Sequence, residues 1–196
     1  MTLFSIVRAG IGAALLCLAG SAANAAAERN PTNDDTYSQQ EIVQKASDFF
    51  GATTEAVAKA VERVFAEKGR PNAYIVGQEG SGAIGVGLRY GDGELYMKKT
   101  GNQTAKVYWQ GPSVGFDFGG NASKTFTLVY NLPNAGAIYE RFPGVEGSAY
   151  VVAGIGVNYQ QNGRIILAPM RTGVGLRGGV NIGYLAYTKE RNILPF

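Results

Sequence analysis

The chain has 196 residues, a formal net charge of +3 and no histidine, and its one cysteine is Cys17. Without histidine it has no imidazole general base and no histidine ligand for a metal, and a single cysteine forms no internal disulfide. The small charge, with no basic stripe among aromatics, also argues against a nucleic-acid partner. These absences argue against thiol and imidazole catalysis and against a metal bound through histidine or cysteine. We expect no cofactor, no metal site and no enzymatic activity.

The first 25 residues predict a secretory signal peptide. Arg8 supplies a positive start, residues 9–19 form an apolar run too short to span a bilayer, and the Ala-Asn-Ala sequence at 23–25 fits a cleavage site. Cleavage one or two residues later, and an uncleaved membrane anchor, are the alternatives. Residues 26–36 are polar and without periodicity, so we expect a flexible leader there.

Residues 37–69 are predicted to form two short amphipathic helices. Ser38 followed by Glu41 matches a capping box at the start of the first helix, and Gly51 is a suitable stop. The second helix follows at once and ends at Gly69. The apolar stripes consist of Ile42, Val43, Ala46, Phe49 and Phe50 in the first helix, and of Val57, Ala60, Val61, Val64 and Phe65 in the second.

Residues 70–196 are predicted to form the β domain, because glycine and apolar residues alternate there with the period of a strand. Glycine repeated on one side of many strands favours a sheet that coils on itself. We therefore predict a mainly β fold, a small antiparallel β-barrel of about eight strands preceded by the two helices. The predicted strands are 73–79, 83–90, 94–99, 104–110, 113–119, 124–131, 148–158, 164–170 and 174–187, and the predicted turns are Gly91-Asp92-Gly93, Gly101-Asn102, Gly119-Gly120-Asn121 and Gln161-Asn162-Gly163.

The two faces of these strands differ, since one carries large apolar side chains and the other carries glycine. We expect the apolar face to supply the core of the barrel. The glycine face would leave shallow grooves in which the helices or an acyl chain could lie. The residues assigned to the core are Ile84, Val86, Leu88, Phe116, Phe118, Phe126, Leu128, Ile155, Leu176 and Ile182.

Two catalytic patterns match this sequence by letter but not by context. Residues 80–85 match G-x-G-x-x-G, but strand alternation continues where a dinucleotide site would begin a helix. Residues 111–115 match G-x-S-x-G, but the chain has no histidine to accept the serine proton. Paired carboxylates are the remaining route to hydrolysis, with Asp92 and Glu94 on a glycine turn, or Asp117 on a strand, as candidates.

The glycine and aromatic residues between positions 74 and 131 resemble the SYLF lipid-binding domain. The matching positions are Gly82, Gly85 and Gly87, then Trp109 to Pro112, Gly115 to Gly120, and Leu128 to Asn131. The sequence departs from that pattern at Gln110 and Asp117. Taken whole, with its signal peptide, short helical part and glycine-aromatic body, the chain is similar to the EipA-like envelope-integrity proteins of alphaproteobacteria. That resemblance implies a periplasmic β-barrel that helps to maintain the cell envelope, with a lipid ligand and without catalysis.

The expected partner is a lipid or another envelope component, with peripheral contact to a membrane. Aromatic rings suit the lipid interface, and lysines suit phosphate groups. Two alternatives remain, an outer-membrane β-barrel, which the strand alternation and the terminal Phe196 favour, and a carboxylate-dependent hydrolase of envelope material. The lipid-binding candidates are Trp109, Tyr108, Tyr96, Lys98, Lys99 and Lys106.

Overall fold

The fold is given by a computed structural model, which describes residues 35–51, 54–99, 103–117, 123–172 and 183–192, without the side chains of 54, 81–86 and 113–117. Within these ranges the chain forms two α-helices, nine strands and a short 3-10 helix. The helices are α1 Gln39–Phe50 and α2 Thr54–Lys68, and the 3-10 helix is Ala135–Ile138. The strands are β1 Ala73–Met97, β2 Thr104–Asp117, β3 Ser123–Tyr130, β4 Arg141–Pro143, β5 Tyr150–Val152, β6 Ile155–Val157, β7 Gln160–Asn162, β8 Ile165–Arg171 and β9 Tyr184–Thr188.

Both helices form where the sequence predicts them, because their ends are encoded locally. The Ser38 hydroxyl accepts a hydrogen bond from the Glu41 amide at 3.2 Å, and the Glu41 carboxylate accepts one from the Ser38 amide at 2.7 Å. Gly51 ends α1 at a φ of 63°, and Gly69 follows α2 at a φ of 76°. Glycine adopts this left-handed conformation without steric cost, so each helix stops at its glycine.

Strand β1 has 25 residues and folds back on itself. A straight strand of that length would separate its ends by roughly 80 Å at about 3.3 Å per residue. Instead, the Asn72 carbonyl accepts a hydrogen bond from the Lys98 amide at 3.1 Å, and the Tyr74 and Tyr96 rings stack at 5.0 Å. The strand therefore consists of two arms that lie side by side, the first paired with β3 and the second with β2.

The strands form one antiparallel sheet in the order β4-β9-β2-β1-β3-β8-β6-β5, with β7 also paired to β8. An isolated bridge joins Gly144, next to β4, to Gln160 in β7, and the Val145 amide donates to the Tyr159 carbonyl at 2.9 Å. These contacts connect β4 to β7, so the sheet curls round and meets itself. The predicted mainly β, barrel-like fold with two N-terminal helices is confirmed.

Several of the predicted turns and strand boundaries are wrong. The predicted strands 73–79, 83–90 and 94–99 are one continuous strand, β1, and the predicted break between 104–110 and 113–119 lies inside β2. The Gly91-Asp92-Gly93 turn does not exist, because these residues lie in the second arm of β1 and pair with Trp109, Tyr108 and Val107 of β2. The predicted strand 148–158 is a hairpin of β5 and β6, in which Ala153 and Gly154 have φ values of 51° and 83°. Positive φ at both central residues is what a tight hairpin turn requires.

One further turn is present, and other predictions fall outside the described residues. Gly163 has a φ of 55° in the turn that joins β7 to β8, as predicted. The predicted turns at 101–102 and 119–121, and residues 174–182 of the last predicted strand, lie outside the described part of the chain.

The two faces of the sheet are exchanged relative to the prediction: the face with large apolar side chains packs against the helices, and the face with glycine encloses the interior. Even-numbered residues of β1, β3 and β8, including Phe126 and Leu128, pack with α1 and α2 in one apolar cluster together with Ile155. Odd-numbered residues of β1, β2, β3, β8 and β9 form a second cluster, which also includes Phe142 of β4. Since these strands surround the second cluster, it fills the interior of the curled sheet.

The assignment of large apolar residues to the barrel interior is therefore wrong for those that the structure describes. An amphipathic helix must bury its stripe against a broad apolar surface, which large side chains provide and glycine does not. Leu88 also lies on the outward face and is 39% exposed. Phe118, Leu176 and Ile182, with the side chains of Ile84, Val86 and Phe116, lie outside what the structure describes.

Glycine occupies the enclosed face because neighbouring backbone and one large ring approach it closely. A Cβ atom on Gly93 would lie 2.2 Å from the Val76 carbonyl oxygen, across the two arms of β1. A Cβ atom on Gly91 would lie 2.1 Å from Cε2 of Trp109. No methyl group fits at these distances, so glycine is required for the two arms and the indole ring to pack together.

We expect the Gly91→Ala substitution to destabilise the protein by about 3 kcal/mol, because its methyl group overlaps a rigid, buried indole ring. Gly80→Ala is the matched control, since a Cβ atom there meets nothing within 4 Å in the same strand. The control should be neutral, or stabilising by up to about 1 kcal/mol. Urea unfolding followed by circular dichroism gives both free energies, and equal stabilities would contradict this account of the glycine face.

Candidate functional site

Trp109 lies inside the curled sheet, where it bridges three strand segments. Its side chain starts on β2, passes over Gly91 of the second β1 arm and reaches Gly77 and Glu79 of the first arm. The residue is 2% exposed, and its indole Nε1 donates a hydrogen bond to Glu79 Oε2 at 3.1 Å. The ring centroid of Tyr187 lies 5.8 Å away. Trp109 thus belongs to the interior core and not to the outer surface of the sheet, and its lipid-binding role stays a prediction.

Glu79 is the centre of a buried ionic cluster at this point in the interior. It is 4% exposed and accepts hydrogen bonds from Nε of Arg171 and, at 3.4 Å, from Nη2 of the same side chain. Arg89 Nε lies 3.6 Å from Glu79 Oε1, and Asn158 Oδ1 accepts from Arg171 Nη1. We name Glu79, Arg89, Trp109, Asn158 and Arg171 the Glu79 cluster.

The surroundings of Glu79 favour its charged carboxylate. Burial raises the pKa of Glu79, but Arg171 and Arg89, together with hydrogen bonds from Arg171 and Trp109, outweigh it and hold that pKa below its ordinary value. Burial also raises the pKa of the neighbouring Tyr187 hydroxyl, which keeps its proton. A general acid or base needs a pKa near the working pH. The cluster is therefore suited to recognising charge and poorly suited to transferring protons.

The six predicted lipid-binding residues do not form one site. Tyr96 stacks on Tyr74 beside the helices, and its hydroxyl donates to Glu94 at 2.6 Å. Lys98 forms an ion pair with Glu41 at the start of α1. Lys99 pairs with Asp35 at 2.9 Å, which brings it to the beginning of the described chain. Lys98 thus contacts α1, Lys99 contacts the residues before α1, and Tyr96 contacts the helix-facing side of the sheet. None of these contacts involves Trp109.

Tyr108 and Lys106 lie together on the outward face of β2. The Lys106 ammonium is 5.7 Å from the centre of the Tyr108 ring, and the Arg191 guanidinium is 5.8 Å from it. Asp92 of β1 accepts from both cations, at 3.0 Å from Lys106 and 3.4 Å from Arg191. We name Asp92, Lys106, Tyr108 and Arg191 the Tyr108 patch.

Asp92 and Glu94, the described carboxylates considered for hydrolysis, each contact other side chains. Asp92 is engaged by two cations in the Tyr108 patch, and Glu94 accepts a hydrogen bond from Tyr96. Asp117 ends β2, but its side chain is outside what the structure describes. Among the described residues, no group of acidic or cysteine side chains is arranged to hold a metal ion. In the same ranges, neither helix has the length and apolar character needed to cross a membrane.

Comparison with known proteins gives the family. The model of the family described as envelope integrity protein A, EipA, matches residues 35–196. The chain belongs to the EipA family. The chain is also similar to a β-barrel-like, uncharacterised protein from Brucella abortus whose crystal structure is known. The two sequences are 48% identical, and the structures match with a TM-score of 0.74 over 83% of this chain and 99% of that chain. No curated protein matches the sequence. The predicted EipA resemblance is confirmed, and the SYLF resemblance stays a prediction.

Four residues of the Glu79 cluster were not predicted from the sequence of this EipA-family chain: Glu79, Arg89, Asn158 and Arg171. The sequence does contain a signal for one of them. Glu79 lies two and four residues after Gly77 and Ile75, so it is on the same face of the strand as the core residue Ile75. A charged residue on a core face indicates a buried partner of opposite charge. The partner was not identifiable, because Arg171 lies 92 residues further along the chain.

We expect Glu79→Gln to destabilise this EipA-family protein by about 3–5 kcal/mol, because the change leaves the Arg171 guanidinium buried without its carboxylate. Glu55→Gln is the matched control, since Glu55 forms an exposed pair with Lys59 on α2 and should change stability by less than about 0.5 kcal/mol. Urea unfolding monitored by fluorescence of the single tryptophan measures both. A loss below about 1 kcal/mol for Glu79→Gln would contradict the buried ion pair.

The Glu41–Lys98 pair predicts an acid-dependent stability. The hydrogen bond from Lys98 and the amide of Ser38 lower the pKa of Glu41 from 4.5 to about 2. Because the folded-state pKa is depressed, the stabilisation is complete above pH 4.5 and is lost as the pH falls through about 2. Glu41→Gln keeps an oxygen for the capping box but loses the charge, so we expect it to be about 0.5–1 kcal/mol less stable at pH 7.

Urea unfolding of the Glu41→Gln variant and the unmodified protein across this pH range is the measurement. The difference in free energy should shrink as the pH falls, because protonation neutralises Glu41 and leaves it uncharged like the glutamine of the variant. A difference that persists undiminished at pH 2 would show that the Glu41 charge is not its cause.

Proposed function

We propose that this EipA-family protein supports cell-envelope integrity in the periplasm by binding an envelope component, without catalysis. The observation that carries the envelope role is the match of the envelope integrity protein A family over residues 35–196. The periplasmic location is supported by the predicted signal peptide at residues 1–25, which would direct the chain across the inner membrane.

Binding rather than catalysis is supported by the character of the interior. The described interior is packed by the chain's own apolar side chains and by the Glu79 cluster. Within that cluster the pKa of the Glu79 carboxyl is held below its ordinary value, so this group does not exchange protons near neutral pH. A rigid interior of this kind presents a stable outer surface to a partner.

The Tyr108 patch is the surface that we propose for contact with lipid. Tyrosine suits the boundary between acyl chains and water, and Lys106 and Arg191 suit phosphate groups. The same pairing of tyrosine and cation recurs nearby, where Lys189 lies 5.4 Å from the Tyr139 ring centre and Arg141 lies 5.2 Å from that of Tyr184. A membrane surface that displays phosphate would meet several such pairs at once.

Peripheral contact is favoured over a membrane-spanning barrel. A spanning barrel needs an apolar band on its outward face. In this chain α1 and α2 cover outward apolar residues of β1, β3 and β8 such as Tyr74, Phe126 and Met170, whereas the outward face of β2 carries Lys106 beside Asp92. Among the residues that the structure describes, neither outward surface offers lipid tails a continuous apolar band.

Deletion of the gene followed by challenge with detergent, EDTA or a cell-wall antibiotic tests the proposal. We expect the deletion strain to lose survival and the unmodified gene to restore it. A Lys106→Gln and Arg191→Gln double variant should restore survival poorly, because each cation near an anionic surface contributes about 1 kcal/mol. Lys59→Gln, which removes an exposed lysine on α2, is the control and should restore survival fully.

The same strains separate the parts of the proposal. Undiminished survival of the deletion strain under all three treatments would remove the envelope role. Full rescue by the double variant, at equal protein level, would contradict the role of the Tyr108 patch in lipid contact, but it would not contradict the envelope role. Release of the protein by osmotic shock is expected, and a requirement for detergent would contradict the peripheral assignment.

A further inference from the structure

Two polar side-chain atoms beside Arg171 are buried and make no hydrogen bond within the described part of the chain. They are Nδ2 of Asn158, a residue 6% exposed, and Oγ1 of Thr125, a residue 2% exposed. Leaving a polar group buried without a partner costs free energy comparable to its full desolvation, so native proteins rarely do so. Two such atoms around one guanidinium therefore point to a partner that they share.

The backbone brings these side chains together. Thr125 is the direct partner of Arg171 in the β3–β8 ladder, so the two side chains lie next to each other on the enclosed face. Asn158 follows β6, which pairs with β8 at the same position, and Asn158 Oδ1 accepts from Arg171 Nη1. This bond fixes the orientation of the amide, because Nδ2 would have no acceptor on Arg171. The Asn158 Nδ2 atom therefore points away from the guanidinium as a free donor.

The group that would satisfy these atoms is an acceptor. Glu79 engages Arg171 from one side through Nε and Nη2, and Asn158 engages Nη1. A guanidinium has five N–H donors, so Arg171 retains donors on its Nη groups after these contacts. Together with the Asn158 amide and the Thr125 hydroxyl, they form a set of donors beside a positive charge. Carboxylate and phosphate oxygens are the acceptors that such a set binds most strongly.

We propose that Arg171, Asn158 and Thr125 form a buried subsite for a single oxyanion, either the carboxylate or the phosphate group of a small ligand. The subsite lies on the interior side of the sheet, whereas the Tyr108 patch lies on the outside. The inference therefore does not depend on the envelope role or on lipid binding. Other buried atoms without a partner in the described chain do not belong to it. Gln160 Oε1 is an acceptor on a residue opposite Leu167, and the Tyr130 hydroxyl belongs to the helix-facing cluster.

Thermal unfolding of the purified protein in increasing inorganic phosphate, and separately in increasing acetate, tests the subsite. Sodium chloride keeps the ionic strength constant. We expect a saturable rise in Tm of about 3–6 °C in one of the two series, at an anion concentration tenfold above its Kd. A rise only with phosphate identifies a phosphate subsite, and a rise only with acetate identifies a carboxylate subsite.

Three variants separate specific binding from general salt effects. Thr125→Val removes the hydroxyl and should weaken anion binding about tenfold or more. Asn158→Asp keeps an acceptor for Arg171 but places a negative charge where the donor pointed, so it should abolish the rise. Tyr130→Phe is the matched control, because it removes a buried, unpartnered hydroxyl from the same strand on the other face of the sheet. It should keep the full response.

Phosphate also stabilises proteins by exclusion from their surface, and that effect does not saturate and is shared by all variants. The proposal is overturned if neither anion gives a saturable rise in the unmodified protein. It is also overturned if Thr125→Val and Asn158→Asp respond as Tyr130→Phe does. Thr125→Val is expected to fold, since removing a buried hydroxyl that lacks a partner leaves no new unsatisfied group.

Discussion

The packing of Trp109 across the two arms of β1 is the interaction on which the rest of this structure depends. The indole lies over Gly77 and Gly91, where no side chain would fit, and its Nε1 reaches Glu79. Glycine in a strand costs stability, and burial of the large aromatic ring offsets that cost. The same contact allows the arms of β1 to lie close together, so the sheet can curl around a narrow interior.

The Glu79 cluster connects the Trp109 contact to a network of hydrogen bonds and ion pairs between strands. It joins Glu79 and Arg89 of β1 to Trp109 of β2, to Arg171 of β8 and to Asn158 after β6. Burying charge in a closed interior carries a large desolvation cost, so such a pair is weak evidence for stability. We expect its directional hydrogen bonds to specify which strands meet, which a purely apolar interior would do less well.

Two chemically different surfaces result from this arrangement in an EipA-family protein. In the interior the pKa of the Glu79 carboxyl is held below its ordinary value, and the donors around Arg171 suit the proposed recognition of an anionic group. The outside of β2 offers tyrosine beside Lys106 and Arg191, which suits contact with phosphate at a membrane surface. Because the sheet separates the two, a change on one surface can be tested without disturbing the other.

The sequence by itself determined the local structure, because local signals need no distant partner. The capping box at Ser38, the glycine stops and the period of two predicted both helices, the strands and a barrel-like sheet. Alternation shows that two faces differ, but not which is enclosed, since that depends on where the helices pack. Gly91 was predicted in a turn because only the tertiary structure places Trp109 above it. Glu79 and Arg171 likewise meet only when the sheet closes, and no local pattern encodes a contact 92 residues apart.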